Sequence, residues 1–186
     1  MASKNESPNL IWVDCEMTGL DLNKDVLLEI AVLVTDSELN ILGEGIDLVI
    51  KASADQIAGM NEFVTNMHTE SGLITEIQAG VEISEAEKAV MAYIEKYAPG
   101  AGKSPLAGNS VGTDRSFIAR DMPLLNTYLH YRTIDVSSIK ELARRWYPRV
   151  YFAAPKKTGN HRALGDIRDS IEELEYYRKA IFIPNN

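Results

Sequence analysis

The chain has one cysteine, three histidines and no surplus of positive charge: 19 Lys and Arg stand against 27 Asp and Glu in 186 residues, a net charge of −8. A single thiol cannot close an internal disulfide, which suits a reducing cytosol. No segment approaches the apolar length needed to span a bilayer, and the polar opening from Met1 to Pro8 carries no apolar stretch, so a soluble, unexported, cytoplasmic protein is expected. The shortage of Lys and Arg argues against the broad basic surface of proteins that track long nucleic acids, because phosphate neutralisation supplies most of their affinity. A nucleic-acid substrate would have to be short, with bound metal ions supplying much of the local positive charge.

A chain of this length, 45% hydrophobic and 25% charged, is sized for one well-packed domain. Its most informative stretch is Leu10-Ile-Trp-Val-Asp14-Cys-Glu16-Met-Thr18-Gly-Leu20, which sets two carboxylates one residue apart inside an apolar, strand-like run. Successive side chains alternate faces in a strand, so Asp14 and Glu16 point one way and Val13 and Cys15 the other. Two like charges on one half-buried face repel. A divalent cation between them reverses the sign of that energy, and all-oxygen ligands suit Mg²⁺ or Mn²⁺. Cys15, on the opposite face, reads as a small buried hydrophobe rather than a catalytic thiol.

Further strands are expected at Val26 to Val34, a β-branched run broken by Glu29, and at Ile41 to Ile50, where Gly43 and Gly45 suggest a bulge. Short helices are expected between Ala54 and Gln78. Ser84-Glu-Ala-Glu87 reads as a capping box opening a helix that bears Val90, Tyr93, Ile94 and Tyr97 and stops at Pro99-Gly100. A short strand, Pro105 to Asn109, leads into a helix with Phe117 and Ile118. Tyr131 to Val136 reads as another strand, and Ser138 to Glu141 as the cap of a helix with Ile139, Leu142 and Trp146. The last helix starts near His161 and carries Ala163, Ile167, Ile171 and Leu174 on one face. Three early strands followed by alternating helices and strands imply an α/β domain with a mixed sheet flanked by helices.

Two more acids stand where elements begin. Asp114 opens the helix behind Asn109-Ser-Val-Gly112, and Asp166 lies early in the last helix. Each taken alone reads as a first-turn acid that favours the helix dipole. His161 and Asp166 are five residues apart, about 140° on a regular helix, so a shared site requires His161 to sit on the loop before it. In isolation His161 reads rather as a plain surface histidine.

Taken together, Asp14-x-Glu16, Asp114 and His161-x-x-x-x-Asp166 resemble the histidine-type DEDD exonucleases of the ribonuclease H-like fold, and within them the oligoribonuclease family. The resemblance runs through Trp12-Val-Asp-Cys-Glu-Met-Thr-Gly-Leu20, Leu106-Ala-Gly-Asn-Ser-Val111, Met122-Pro123, His130-Tyr-Arg132, Ile134-Asp-Val-Ser137, Lys140-Glu-Leu-Ala-Arg-Arg-Trp146 and His161-Arg-Ala-Leu164. It implies a 3′-to-5′ exoribonuclease that converts short oligoribonucleotides, down to RNA dinucleotides, to nucleoside monophosphates. Residues 9–182 would form the exonuclease domain, between a flexible segment 1–8 and a tail 183–186. Asp14, Glu16, Asp114 and Asp166 would bind two divalent cations, Mg²⁺ or Mn²⁺, with His161 as general base.

For the substrate, the resemblance implies a wedge between bases by Leu20 of the Thr18-Gly-Leu20 turn and stacking by Phe63, where the family usually has tryptophan. It also implies a contact at His68. A cap on the 5′ phosphate would come from Ser110, Arg132, Ser137 and Ser138. Tyr131, Arg132 and the serines are expected to reach the site of a neighbouring protomer in a homodimer. Bland alternatives stand beside these roles: Phe63 as a core residue of its helix, Arg132 as a surface strand residue, Ser137 or Ser138 as an N-cap. An exonuclease of single-stranded DNA or tRNA ends is the nearest rival, and a catalytically idle binding module the more distant one.

Overall fold

The computed structural model describes residues 8–155 and 162–182. Of the expected terminal segments, residues 1–7 and 183–186 lie outside the described residues, as does His161. Strands β1 (Leu10–Met17), β2 (Leu27–Thr35) and β3 (Ile41–Val49) form the expected antiparallel meander. Strands β4 (Pro105–Gly108) and β5 (His130–Asp135) add to β1 in parallel, giving a mixed five-stranded sheet in the order β3-β2-β1-β4-β5. Gly43 and Gly45 in β3 both take positive φ, and the β2–β3 register shifts nearby, as the expected bulge requires.

The alternation of β1 splits the core in two. Ile11, Val13, Cys15 and Met17 face helices α4 (Ile83–Tyr97), α5 (Gly112–Asp121) and α6 (Pro123–Tyr128), packing on Val90, Ile94, Phe117 and Leu125. Leu10 and Trp12 face α7 (Val136–Trp146) and α9 (Ala163–Ile181), packing on Val136, Ile167, Ile171 and Tyr177, with α8 (Pro148–Phe152) alongside. Continuing that second face along β1 leads from hydrophobes to Asp14 and Glu16. Apolar packing therefore dictates the side of the sheet on which the two acids emerge, against α9. Short helices α1 (Ala54–Ala58), α2 (Glu62–Glu70) and α3 (Leu73–Glu76) cover the end of β2 through Leu28, Leu73 and Ile77. Among the described residues no helix is long and apolar enough to cross a membrane.

Two helix starts, those of α4 and α7, differ from the sequence expectation. α4 begins at Ile83, so Ser84 lies inside the helix and forms no capping box. The box occurs instead at α1, between Ser53 and Gln56. α7 begins at Val136 and is capped by Asp135, with Ser137 and Ser138 in its first turn. Glu87, freed from any box, reaches across to α6, where its Oε1 accepts from the amides of Leu124 at 2.7 Å and Leu125 at 3.2 Å. Replacing this buried carboxylate strands both donors. Glu87→Ala is expected to lower unfolding stability by about 2–3 kcal/mol, and Glu87→Gln by less, as read by urea denaturation.

Candidate active site

Three carboxylates converge where β1 meets the start of α9. Oxygens of Asp14, Glu16 and Asp166 lie within 4.8 Å of one another. The strand period supplies the first two, and Asp166 comes from the first turn of α9, which opens as its amide donates to Arg162 O at 3.1 Å. Asp114 approaches from α5: it is buried, and its Oδ1 accepts from the amide of Cys15 at 2.9 Å, between the two β1 acids in sequence. The solvated first-turn acid that Asp114 resembles in isolation is thus not what the fold makes of it. Burial and the surrounding acids hold the Cys15 thiol well above its ordinary pKa, which leaves it protonated and no nucleophile.

Burial dominates the electrostatics. Loss of water, then the carboxylates of Glu29, Asp166 and Asp114, push Glu16 up to about 8 against the pull of Arg162. Burial also lifts Asp114 to about 6, resisted by its amide hydrogen bonds. The source of the extra repulsion is Glu29, fully buried and directly cross-strand from Glu16. Sequence reasoning saw Glu29 only as a polar break in β2. Its Oε1 accepts from Arg162 Nε at 2.8 Å and its Oε2 from the Ala163 amide at 3.3 Å, while Arg162 also holds Glu76 of α3 at 2.8 Å. Arg162 is therefore a resident cation beneath the acids, and Glu29 caps α9. The signal for both was a charged residue inside an otherwise apolar strand, which needs a partner the sequence does not locate.

His68 lies fully buried on α2 rather than on the rim of the site. Its Nε2 stands 2.9 Å from Met17 O, and since a carbonyl only accepts, Nε2 carries the hydrogen. Its Nδ1 faces Glu16 Oε2 at 3.9 Å. The histidine thus backs Glu16. Thr18 is buried as well, and its hydroxyl is engaged inside the β1–β2 connection, donating to Asp25 and accepting from the Val26 amide. Both residues are thus enclosed, one behind Glu16 and the other inside the loop.

Leu20 and Phe63 are placed oppositely. They are 74% and 76% exposed, which removes the core reading of Phe63. Ser110 and Ser137 are gathered by one acceptor: Asp135 Oδ1 takes the amides of both, at 3.0 and 2.9 Å, and the Ser137 hydroxyl at 2.6 Å. Ser110 adopts a positive φ of 54° there. Ser138, Tyr131 and Arg132 are exposed, with the Arg132 guanidinium 5.3 Å from the Tyr131 ring centroid.

The all-oxygen, closely spaced set of Asp14, Glu16 and Asp166 fits a hard divalent cation, whose charge would offset the burial and like-charge repulsion that raise Glu16. The sign follows directly. Without metal, a folded-state value above the ordinary 4.5 makes Glu16 hold its proton, so stability falls as pH rises from 4.5 toward 8. Mn²⁺ added at pH 7 must expel that proton, and at pH 9 it is already gone. Calorimetry in buffers of differing ionisation enthalpy is expected to show release of about one proton at pH 7 and much less at pH 9.

The geometry has counterparts among known proteins. A family model described as Exonuclease, RNase_T, matches residues 11–174. The chain is 64% identical over 176 residues to an oligoribonuclease of Rhodococcus jostii, covering 94% of this chain and 88% of that protein. It is 61% identical over 175 residues to an oligoribonuclease of Streptomyces avermitilis, with the same coverage of 94% and 88%. Its fold is like that of the zinc-bound complex of E. coli exonuclease I with single-stranded DNA, at a TM-score of 0.72 and 14% identity over 95% of this chain. The chain spans 41% of that larger protein. With a match over most of its length and relatives at this level of identity, the chain belongs to the oligoribonuclease family of exonucleases.

Proposed function

We propose that this enzyme hydrolyses short single-stranded oligoribonucleotides from the 3′ end, RNA dinucleotides above all, releasing nucleoside 5′-monophosphates in the cytoplasm. The convergence of Asp14, Glu16 and Asp166 within 4.8 Å, in a member of this family, carries the reading. Asp14, Glu16, Asp114 and Asp166 would hold two divalent cations, Mg²⁺ or Mn²⁺. Bound there, the cations supply charge neutralisation at the attacking and leaving oxygens of an in-line displacement.

The protein's own groups do the rest. His161 takes the proton of the attacking water, a task suited to an imidazole near neutrality. Arg162 and His68 orient the acids from below, through Glu29 and beside Glu16. Leu20 separates the two terminal bases and Phe63 stacks on one of them. Both are exposed aliphatic or aromatic surface that water alone would not favour. Arg132, Ser110, Ser137 and Ser138 meet the 5′ phosphate. In this reading the Ser137 hydroxyl, spent on Asp135, serves as part of the frame for Ser110 rather than as a free donor.

A homodimer completes the site in this proposal, with Tyr131 and Arg132 reaching a neighbouring protomer. The support is a run of exposed large hydrophobes on consecutive elements: Tyr131 on β5, Leu142 and Trp146 on α7, Tyr147 between the helices and Phe152 on α8. The sequence periodicity placed Leu142 and Trp146 on a helix but not toward solvent, and an aromatic patch of this kind is typical of the centre of an interface.

Purified protein with Mg²⁺ or Mn²⁺ is expected to convert a 5′-labelled RNA dinucleotide to mononucleotide, and Asp14→Ala to lose at least about a thousandfold in rate. Undiminished activity in that variant would overturn the metal assignment. A rate series from two to twenty nucleotides is expected to fall with length, and a maximum on long single strands would favour the DNA or tRNA-end reading. Arg132→Ala is expected to slow a 5′-phosphorylated dinucleotide by about ten- to a hundredfold, the worth of a charged hydrogen bond, and a heptanucleotide far less.

A further inference from the structure

In the connection between β1 and β2, Thr18 to Val26, only Val26 at its end packs on a hydrophobic cluster, that of Leu28 and Leu73, and Leu20 lies apart from it. Leu20 and Leu22 both point outward. Its interior is polar: Asp25 is buried, its Oδ1 taking the Thr18 hydroxyl at 3.2 Å and its Oδ2 the Asp21 amide at 2.8 Å. Gly19 leaves room for that carboxylate, since a Cβ there would lie 2.4 Å from Asp25 Oδ2. These bonds make the loop stiff in itself, but they do not tie it to the rest of the protein.

That tie is Arg120. Its guanidinium reaches from α5 to donate to two loop carbonyls, Leu22 O through Nη1 and Asp25 O through Nη2 at 2.8 Å. Nε and Nη2 also bond Asp121, each at 2.7 Å, which fixes the plane of the fork. The guanidinium carbon sits 4.9 Å from the ring centroid of Phe117, a fully buried anchor of the core. The same helix holds Asp114 in its first turn. Six residues of helix separate the two, a rigid rise of about 9 Å.

We propose that Arg120 is a positioning residue for substrate. Through α5 it fixes Leu20 relative to Asp114, and so sets where the terminal bases part relative to the scissile phosphate. The inference rests on the reading of Leu20 as the wedge. A planar fork that grips two carbonyls and a carboxylate at once is a task for arginine that lysine cannot reproduce. Loosening it frees the loop by an ångström or so, enough to misalign the reacting groups.

The test is a double-mutant cycle on the RNA dinucleotide with Mn²⁺, using Arg120→Met, Leu20→Ala and the double variant. Arg120→Met keeps a stem over Phe117 and removes the donors. Each single variant is expected to lose about ten- to a hundredfold in kcat/KM, and the double no more than the worse single. Losses that multiply, or an Arg120→Met enzyme at the native rate, would overturn the proposal while leaving the wedge intact. A native rate in Leu20→Ala would dismiss the wedge itself, and the proposal with it. Mn²⁺ affinity by calorimetry is expected to stay unchanged in Arg120→Met, and a fall would mean that Asp114 has moved and would also overturn it. Should Arg120→Met not fold, Arg120→Lys replaces it in the cycle, with a smaller loss and the same two overturning outcomes.

Discussion

Mutual repulsion among buried carboxylates is the constraint around which this protein is arranged. Asp14, Glu16, Glu29 and Asp166 share one side and one end of the sheet, and burial, complete at Glu29 and partial at Asp14 and Asp166, removes water that would separate their charges. Nothing about the acids themselves favours this. It is imposed by hydrophobic packing: Leu10 and Trp12 bury against α7 and α9, and the period of two carries Asp14 and Glu16 to the same face. The fold then limits the cost with one cation of its own, Arg162, and with amides that point at carboxylates from Cys15 and Ala163. What is left over is negative charge that a proton on Glu16 offsets near neutrality and that a divalent cation would offset in its place. In the proposed function, cations held by these acids would let an acidic protein handle an acidic substrate, with the positive charge concentrated at one point instead of spread over the surface.

Much of this was legible in the sequence, and the boundary follows a physical line. Strand alternation, the meander, the bulge at Gly43 and Gly45 and the Asp14-x-Glu16 pair are local in sequence or repeat with a fixed period, so they can be read along the chain, whereas Asp114 and Asp166 taken alone read as ordinary first-turn acids. The differences arise where a side chain takes one of several partners open to it. Glu87 leaves the nearby Ser84 for α6, and Asp135 rather than a serine caps α7. Thr18 turns inward to Asp25, and His68 turns in toward Glu16. Glu29 and Arg162 are 133 residues apart and meet only because β2 and α9 do. A local rule gives the set of bonds a residue could make, and topology selects among them.

The exposed residues follow the opposite logic. Leu20, Phe63 and Trp146 sit outside the core although each is an apolar residue of the kind that fills it. Leu20 is held out by a polar loop and Phe63 by a helix whose buried side is taken by His68. The molecule thus keeps its hydrophobic core on the two faces of the sheet and leaves separate apolar side chains exposed, those to which the proposed function assigns contacts with bases or with another chain.

The burial of Cys15 has a practical side. The sole thiol of the sequence sits at 7% exposure with its pKa raised, so it is both sterically and chemically slow toward alkylating reagents. A cysteine introduced on an exposed position would then be the one thiol that reacts. Fluorescent or spin probes could be attached at a chosen site without first deleting the native residue, leaving undisturbed the strand on which the acids depend.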